Sequence, residues 1–443
     1  MLKRKITNRI EAYLKSDSNK ILMVDGARQI GKSYIIRHIG TSMFENYIEI
    51  NMEDDKQGDR LFADATSTNK FYLALSSIAG DKMKDRQSTL VFIDEIQAYP
   101  HLFTLLKFLM QDRRYTYIAS GSLLGITLRK TQSIPVGSIQ QLHMFPLDFE
   151  EFLWANGVGD MFIDEMRRCF KEKETLPEAI HDKVMGLFRQ YLLVGGLPDA
   201  VNSFVAERNI FNVRKIQDDV RELYMEDAAK YEADNNKKLK IQRIYKMIPS
   251  SLESRKKRIV VKDIEDKVGK RSSDYQDEFD YLVSSGIALE VDAISQPTFP
   301  LIQNAGKNLL KLYVNDIGIF SGILYHNNIK PVLDDIKSIN LGSVYETVVA
   351  QELKAHGHEL YYYDSKKNGE VDYLVNDYDN LSALPIEIKS GKDYTIHSAL
   401  NKLLSVDDYG LKRAYVFSNE RTISTKNDIT YMPIYNIMFI NNL

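Results

Sequence analysis

Residues 26–33 have the sequence Gly26-Ala27-Arg28-Gln29-Ile30-Gly31-Lys32-Ser33, which matches the pattern G-x-x-x-x-G-K-[ST] at every fixed position. An apolar run, Ile21–Val24, precedes this stretch, and a helical pattern, Tyr34–Arg37, follows it. In such a strand, loop and helix, backbone N–H groups and the positive end of the helix dipole surround a phosphate. The stretch therefore predicts an ATP-binding loop in which Lys32 reaches the β- and γ-phosphates and Ser33 binds Mg²⁺.

The first part of the chain alternates between strand patterns and helix patterns. Three further runs favour strands: Tyr47–Asn51, Leu90–Ile93 and Tyr115–Ala119. Helical patterns such as Leu102–Leu109 lie between them. Buried strands that alternate with helices are typical of a parallel sheet covered on both faces, so we expect an α/β core here.

Polar side chains follow two of these predicted strands. Asp94 and Glu95 end the run Leu90–Ile93, and Ser120 follows Tyr115–Ala119. At the carboxyl edge of the sheet, Asp94 is predicted to bind the metal ion, and Glu95 to orient or deprotonate the attacking water as the catalytic base. Ser120 is a candidate sensor of the γ-phosphate, although a plain Ser/Gly turn after a strand explains it equally well.

The composition excludes several classes of protein. The chain has 443 residues, a net charge of −3 and near-equal numbers of Lys+Arg (58) and Asp+Glu (61), which excludes a wholly basic, histone-like binder. The one cysteine, Cys169, excludes an internal disulfide and a Cys-rich zinc site and is typical of the reducing cytosol. No apolar run approaches the ~18 residues of a membrane span, and no signal peptide is predicted. We therefore expect a cytoplasmic protein with no membrane partner and about three domains.

A second set of charged residues lies on two strand patterns, Gly369–Val375 and Pro385–Ser390. With the two-residue period of a strand, Glu387 and Lys389 share one face, and a hairpin would bring Asp372 beside Glu387. Two carboxylates and a backbone carbonyl suit Mg²⁺, and Lys389 is placed to orient or activate a metal-bound water for attack on a phosphodiester. This Asp…Glu-x-Lys order is similar to that of restriction-endonuclease-like enzymes.

A further metal ligand is expected from the helix that is predicted to begin near Gly342. Glu346 and Glu352 are separated by about 240° around a helix, so they cannot both face the site. Glu346 lies on the apolar side with Val349 and Leu353. The predicted carboxylate ligands of the C-terminal metal are therefore Glu346, Asp372 and Glu387.

The middle of the chain is locally basic. Residues 237–292 are predicted to form several short helices followed by a β-hairpin, which is the order of a winged helix-turn-helix. Between residues 255 and 271, eight basic residues stand against three acids. Such an excess binds phosphates and releases counterions, so residues 237–271 and the C-terminal domain are candidate DNA contacts. A lid or a protein contact with solvated lysines is the alternative.

Several segments together resemble one family of prokaryotic AAA-type ATPases. These segments, in the family's order, are Gly26–Ser33, Phe92-Ile93-Asp94-Glu95-Ile96-Gln97, Ser120-Gly121-Ser122-Leu123-Leu124, Phe145-Pro146-Leu147-Asp148-Phe149-Glu150-Glu151-Phe152 and Val194-Gly195-Gly196-Leu197-Pro198. The resemblance implies an ATPase core and a C-terminal domain of unknown function that is similar to nucleases. Many relatives have Gly-Arg where this chain has Pro135-Val136-Gly137-Ser138, which leaves the source of an arginine finger open. Its candidates are Arg113, Arg114 and Arg129, acting within the chain or across a homo-oligomer.

The predicted organisation has four parts: a P-loop ATPase core at residues 1–150, a helical lid at 151–232, a winged helix-turn-helix at 233–300 and a restriction-endonuclease-like α+β domain at 301–443. We expect an ATP- and Mg²⁺-dependent protein whose nucleotide state controls the DNA-interacting and nuclease-like parts. The alternative is a regulatory or defence-type switch whose C-terminal domain binds nucleic acid or protein without cleaving it.

Overall fold

The computed structural model describes residues 2–16, 18–122, 136–230, 232, 234–265, 270–334, 341–391 and 394–441, and for residues 136, 228–230 and 306–308 it describes only the backbone. The described chain divides into two compact units. The first unit holds residues 3–145 and 284–286, and the second holds residues 146–283 and 287–443.

Helices and strands alternate along the first unit, as the sequence predicts. Its helices are α1 (Lys5–Lys15), α2 (Lys32–Met43), α3 (Met52–Gln57), α4 (Thr68–Ala79) and α5 (His101–Asp112). Its strands are β1 (Ile21–Asp25), β2 (Asn46–Asn51), β3 (Thr89–Asp94), β4 (Thr116–Gly121) and β5 (Ile139–His143).

The strands of the first unit form one parallel sheet in the order β2-β3-β4-β1-β5. Every residue of β1 and β3 is buried, which is the pattern of strands covered on both faces. The register pairs Ile93 with Ala119 and Val24 with Ser120. The carboxyl ends of β1, β3 and β4 therefore meet at one edge of the sheet, and the predicted α/β core is confirmed.

The second unit begins with a run of helices. The helices of this unit are α6 (Phe149–Ala155), α7 (Asp160–Glu172), α8 (Glu178–Val194), α9 (Pro198–Glu207), α10 (Ile210–Lys230), α11 (Asn235–Glu253), α12 (Val261–Ile264), α13 (Gln276–Ser284), α14 (Ile317–Tyr325), α15 (Lys330–Leu333), α16 (Gly342–Ala355) and α17 (Ser398–Leu404). Within the described residues, no helix combines the length and the apolar character needed to cross a membrane.

A mixed eight-stranded sheet completes the second unit. Its strands are β6 (Ala288–Ile294), β7 (Ala305–Val314), β8 (Tyr361–Ser365), β9 (Gly369–Asp377), β10 (Ser382–Ile388), β11 (Ala414–Ser418), β12 (Ser424–Lys426) and β13 (Ile429–Pro433). Their order is β12-β13-β11-β10-β9-β8-β6-β7. Strands β9 and β10 form the predicted antiparallel hairpin, in which Ile386 pairs with Tyr373.

The strand predicted for the wing, β6, belongs to this sheet, because it pairs with β7 on one side and in parallel with β8 on the other. Its hairpin partner β7 lies beyond residue 292, where the predicted hairpin ended. The strands on both sides of residue 300 therefore lie in one sheet, across the predicted boundary between residues 233–300 and 301–443. A helix of 19 residues, α11, stands where several short helices were expected. The helices α11, α12 and α13 follow one another in the predicted order. Lys267, one of the predicted basic residues, lies outside the described residues. The winged helix-turn-helix and the four domain boundaries stay predictions.

The eight-stranded sheet positions its carboxylates through packing by two helices. On α17, Leu400 and Leu403 pack in a core with Val371, Leu374 and Val416 of the sheet. Helix α16 is buried at every position from Ser343 to Leu353. The Tyr373 hydroxyl on β9 donates to the carbonyl oxygen of Glu346 at 2.7 Å, which holds this turn of α16 against the sheet.

Candidate functional site

The predicted ATP-binding loop connects β1 to α2 at the carboxyl edge of the first sheet. Gly26 and Gly31 have φ values of 136° and 91°, a region that glycine adopts without steric cost. A Cβ atom on Gly26 would also collide with the backbone of Met144. The side chain of Ile30 is fully buried and anchors the loop. The loop therefore opens onto the N-terminus of α2, the arrangement that favours a bound phosphate.

The ammonium of Lys32 lies inside this loop. Its Nζ donates to the carbonyl oxygen of Gly26 at 2.9 Å and to that of Ala27 at 2.7 Å. Burial lowers the pKa of Lys32, while Glu95 and Asp94 oppose this shift. The lysine is thus held by the loop that would surround the phosphates, next to two carboxylates.

Asp94 brings three predicted site residues together. The Ser33 hydroxyl donates to Asp94 Oδ2 at 2.7 Å, and the Ser120 hydroxyl donates to Asp94 Oδ1. The backbone N–H of Glu95 donates to Asp94 Oδ1 at 3.0 Å. The ends of β3 and β4 and the start of α2 therefore meet at one carboxylate.

Glu95 follows β3 in a left-handed backbone conformation, with φ 49°. Its Oε2 accepts hydrogen bonds from Gln97 Nε2 and from the Ser122 hydroxyl, the latter at 3.4 Å. Arg28 Nε donates to the same Ser122 oxygen at 3.5 Å. Gln97 and Ser122 therefore position the predicted base. Sequence reasoning assigned them no role, although both lie in quoted motifs.

A second acid at the loop, Asp25, was also missed. It ends β1 directly before Gly26 and accepts hydrogen bonds from Gln141 Nε2 at 2.6 Å and His143 Nδ1 at 2.7 Å. Both partners lie on β5, where the register pairs Asp25 with His143. Asp25 thus ties the start of the loop to the neighbouring strand.

Two of the three candidate arginine fingers, Arg113 and Arg114, do not lie at this edge of the sheet. Arg113 and Arg114 precede β4 and therefore lie at the amino edge of the parallel sheet, opposite the loop. The Arg114 guanidinium stacks over the ring of Tyr72 at 4.8 Å. Arg129 lies outside the described residues. A finger from Arg113 or Arg114 in cis is excluded by this geometry.

The donor set beside the loop fits Mg²⁺. Ser33 and Asp94 supply a hydroxyl and a carboxylate oxygen, and Mg²⁺ in phosphate sites takes one or two carboxylates with phosphate oxygens and waters. Ser33, Asp94 and the loop are therefore the residues that would hold Mg²⁺ and ATP.

The C-terminal carboxylates lie on the hairpin of β9 and β10. The register that pairs Ile386 with Tyr373 brings Glu387 level with Asp372. Asp372 Oδ2 accepts the backbone N–H of Ile388 at 2.8 Å, and Lys389 Nζ donates to Glu387 Oε1 at 2.8 Å. The predicted proximity of Asp372, Glu387 and Lys389 is thus found.

Glu387 is 7% exposed, and its Oε2 has no hydrogen-bond partner. Burial and the neighbouring Asp372 raise the pKa of Glu387 to about 8, against the opposing effect of Lys389. A buried carboxylate with one free oxygen beside a second carboxylate is a donor set that suits a cation. On this observation the hairpin fits Mg²⁺.

The two glutamates of α16 have different environments, as the helical angle predicts. Glu346 Oε1 contacts the ammonium of Lys257, and its Oε2 accepts the Tyr313 hydroxyl at 3.2 Å. Glu352 is fully buried, and its Oε1 accepts the backbone N–H of Phe149 at 2.8 Å. Glu346 therefore belongs to the C-terminal carboxylates and Glu352 to a structural network.

Among the described residues, no group of three or more His, Cys, Asp or Glu side chains is arranged to hold a metal ion. The three-carboxylate site of Glu346, Asp372 and Glu387 is thus not preformed, since Glu346 is engaged by Lys257. That site stays a prediction, with Asp372 and Glu387 as its nearest pair.

Some basic residues of the stretch 255–271 form ion pairs with acidic residues of the same unit. Lys257 pairs with Glu346, and Arg258 Nη2 lies 3.0 Å from Asp364 Oδ2. Arg255 and Lys256 are exposed. Fewer charges face solvent here than the composition of the stretch indicates.

Three family models match this chain. Residues 18–153 match a model described as an AAA domain. Residues 185–329 and 341–437 match two models that are each described as a domain of unknown function. A comparison with curated proteins finds no match.

Parts of this chain also match solved structures. A Walker-type ATPase of Pyrococcus abyssi is 13% identical, with a TM-score of 0.43, covering 72% of this chain and 95% of that one. A RuvB variant of Thermotoga maritima is 16% identical, with a TM-score of 0.28, covering 65% and 87%. An ADP complex of Hsp104 from S. cerevisiae is 11% identical, with a TM-score of 0.30, covering 65% and 38%.

Proposed function

Since residues 18–153 carry an AAA-type P-loop domain, we propose that this protein is a Mg²⁺-dependent ATP hydrolase whose nucleotide state controls a nuclease-like C-terminal region. The observation that best supports ATP hydrolysis is that Ser33 and Ser120 both donate hydrogen bonds to Asp94, beside the loop that holds Lys32. Each of these polar groups lies at the end of a strand or at the start of a helix, at one edge of the sheet.

The roles of these residues follow from their positions. Mg²⁺ bound by Ser33 and Asp94 would stabilise charge on the β- and γ-phosphate oxygens. Lys32 exchanges its loop carbonyls for phosphate oxygens and neutralises them. Glu95, oriented by Gln97 and Ser122, takes the proton of the attacking water. Ser120 orients Asp94.

Two substitutions test the hydrolase by separating binding from chemistry. Lys32→Ala is expected to abolish binding of a fluorescent ATP analogue, whereas Glu95→Gln is expected to keep binding and lose phosphate release. Lys70→Ala, an exposed position on α4, serves as the control. Nucleotide binding that survives Lys32→Ala unchanged contradicts the assignment of the loop.

A second activity, hydrolysis of phosphodiesters, is supported by the hairpin of Asp372 and Glu387. Its support is the free Oε2 of buried Glu387 beside Asp372 and Lys389. In this proposal Asp372 and Glu387 would hold Mg²⁺, which would polarise the phosphodiester, and Lys389 would orient a water toward the phosphorus. DNA contacts are proposed for the exposed basic residues of the segment 237–271.

Cleavage of plasmid and single-stranded DNA in the presence of Mg²⁺, with and without ATP, tests this activity. Asp372→Asn and Lys389→Met are expected to abolish cleavage, and Asp379→Asn, an exposed residue in the turn after β9, is expected to preserve it. Absence of cleavage under every nucleotide condition favours the alternative, a switch whose C-terminal region binds nucleic acid or protein without cutting.

A further inference from the structure

A lysine from outside the hairpin lies among the C-terminal carboxylates. The ammonium of Lys257 contacts Glu346 Oε1. The side chain of Glu346 is 4% exposed, and that of Lys257 is 27% exposed. Burial lowers the pKa of Lys257, but Glu346 and Asp372 outweigh burial and raise it overall. The lysine is thus a charged group held in a negative pocket.

The backbone at Lys257 has an unusual conformation that directs its side chain toward Glu346. Lys257 lies between α11 and α12 with φ 50°, in the left-handed region that non-glycine residues rarely adopt. Its N–H donates to both the carbonyl and the hydroxyl oxygen of Ser254 at 3.2 Å. Such an outlier is retained where surrounding contacts hold it, often at switch regions.

The segment that carries Lys257 is docked at both of its ends. Before it, the Ser343 hydroxyl on α16 donates to Glu253 Oε1, at the end of α11. After it, Arg258 pairs with Asp364 at 3.0 Å and with Glu370 at 3.5 Å. These contacts are ionic or polar, and the Arg258 guanidinium also lies 5.5 Å from the centre of the Tyr362 ring. All five side chains of Ser254–Arg258 are polar or charged, so withdrawal of the segment removes no aliphatic or aromatic side chain from a core.

The contact with Lys257 occupies Glu346, the third carboxylate of the predicted metal site. A divalent ion bound to Glu346 would lie beside the ammonium of Lys257, which contacts Glu346 Oε1, and the two positive charges would repel each other. A cation at Asp372 would repel the same charge. We propose that Lys257 is a tethered cation that keeps Glu346 from a divalent metal at Asp372 and Glu387. The segment Ser254–Arg258 then has to withdraw before all three carboxylates bind metal.

This inference rests on the proposed metal site, and Mn²⁺ binding to the full-length, nucleotide-free protein separates the two. Titration calorimetry would compare wild type with Lys257→Met, using Lys256→Met as the exposed neighbouring control. Lys257→Met is expected to bind Mn²⁺ about tenfold more tightly, the scale of changes beside metal ligands. Asp372→Asn is expected to abolish this binding in both backgrounds.

Thermal melting gives a second readout that does not require activity. Without metal, Lys257→Met is expected to melt below wild type, because Glu346 loses its counter-charge. Mn²⁺ is expected to raise the melting temperature of Lys257→Met more than that of wild type. An equal Mn²⁺-induced rise in both proteins contradicts the proposal.

A second variant keeps the test decisive if Lys257→Met does not fold. Lys257→Gln keeps a hydrogen-bond donor for Glu346 but carries no charge, and it is expected to bind Mn²⁺ more tightly than wild type. Equal, Asp372-dependent affinities with and without Lys257 overturn the tethered cation and leave the metal site standing. If no protein shows Asp372-dependent Mn²⁺ binding, the metal site itself is wrong.

Discussion

The carbonyl oxygen of Gly196 accepts a hydrogen bond from the backbone N–H of Leu147 at 2.7 Å. This bond joins two segments that carry the family resemblance, Phe145–Phe152 and Val194–Pro198. Gly196 N–H in turn donates to Asp316 Oδ2 at 2.7 Å. The two motifs are therefore held together by buried hydrogen bonds among Leu147, Gly196 and Asp316, a contact that we call the joint. The joint gives both motifs a structural role and no catalytic role.

The close approach at this joint predicts that Gly196→Ala strongly destabilises the protein. A Cβ at position 196 would lie 2.6 Å from the nitrogen and 2.9 Å from the carbonyl carbon of Leu147, both backbone atoms that cannot rotate away. We expect a loss of several kcal/mol, at or above the ~1–3 kcal/mol of ordinary overpacking. Urea unfolding followed by circular dichroism measures it.

The matched control is Gly186→Ala on α8, where a Cβ meets nothing within 4 Å. Alanine is favoured over glycine inside a helix by up to about 1 kcal/mol, so this variant is expected to be neutral or slightly more stable. Similar losses in both variants would show that the joint with Leu147 is not the cause.

The buried Asp316 of the same joint predicts a pH dependence. Burial raises the pKa of Asp316 from 3.8 to about 6, although the N–H groups of Gly196 and Ile319 oppose the shift. Between these values the folded state binds more protons than the unfolded state, so the contribution of Asp316 to stability falls as pH rises. The full effect is roughly 3 kcal/mol, reached above about pH 6.

Asp316→Asn should remove this dependence, because an amide does not titrate. We expect the free energy of unfolding of the variant to improve relative to wild type between about pH 4 and about pH 7. The exposed Asp379→Asn serves as the control. A difference between Asp316→Asn and wild type that is constant across this range would contradict the prediction.

Most of the ATP-binding site could be predicted because its residues are local in sequence. Strand period, glycine positions and the two acids at the end of β3 are visible without long-range information. The register then places Asp94 beside Ser33 and Ser120. Strand β5 was missed, because its residues Gln140 and Gln141 are exposed and it alternates poorly. Because β5 was not predicted, the hydrogen-bond partners of Asp25, which lie on β5, were not predicted either.

The C-terminal carboxylates were predictable for a similar reason, since β9 and β10 form one hairpin. The partner of Glu346 was not, because Lys257 is 89 residues away in sequence and lies in a stretch that composition alone marks as a phosphate-binding surface. Whether a lysine faces DNA or a carboxylate depends on tertiary contacts. The number of charges in a stretch of sequence does not contain this information.

This difference predicts which lysine contributes to binding of DNA. Lys256 is exposed, and its substitution by Ala is expected to lower the slope of log K against log salt concentration by about 1. Lys257→Ala is expected to leave the slope unchanged without divalent metal, because its charge is paired with Glu346. Fluorescence anisotropy of a labelled duplex across a series of KCl concentrations measures both slopes, and equal losses would contradict the pairing.

The hydroxyl of Ser120 predicts a separation of ATP binding from ATP turnover. It donates to Asp94 Oδ1, while Ser33 donates to Oδ2, so the carboxylate is fixed from both sides. Hydrogen bonds to charged groups are worth about 1.5–3 kcal/mol. Ser120→Ala is therefore expected to lower kcat by about 10- to 100-fold, while the Kd for ATP stays within about twofold.

Phosphate release and equilibrium binding of a fluorescent nucleotide measure the two quantities separately. Ser77→Ala, an exposed serine on α4, is the control and should change neither. If Ser120→Ala weakens ATP binding as much as it slows turnover, its hydroxyl supports the loop as a whole. A selective fall in kcat instead supports a role in orienting Asp94 during hydrolysis.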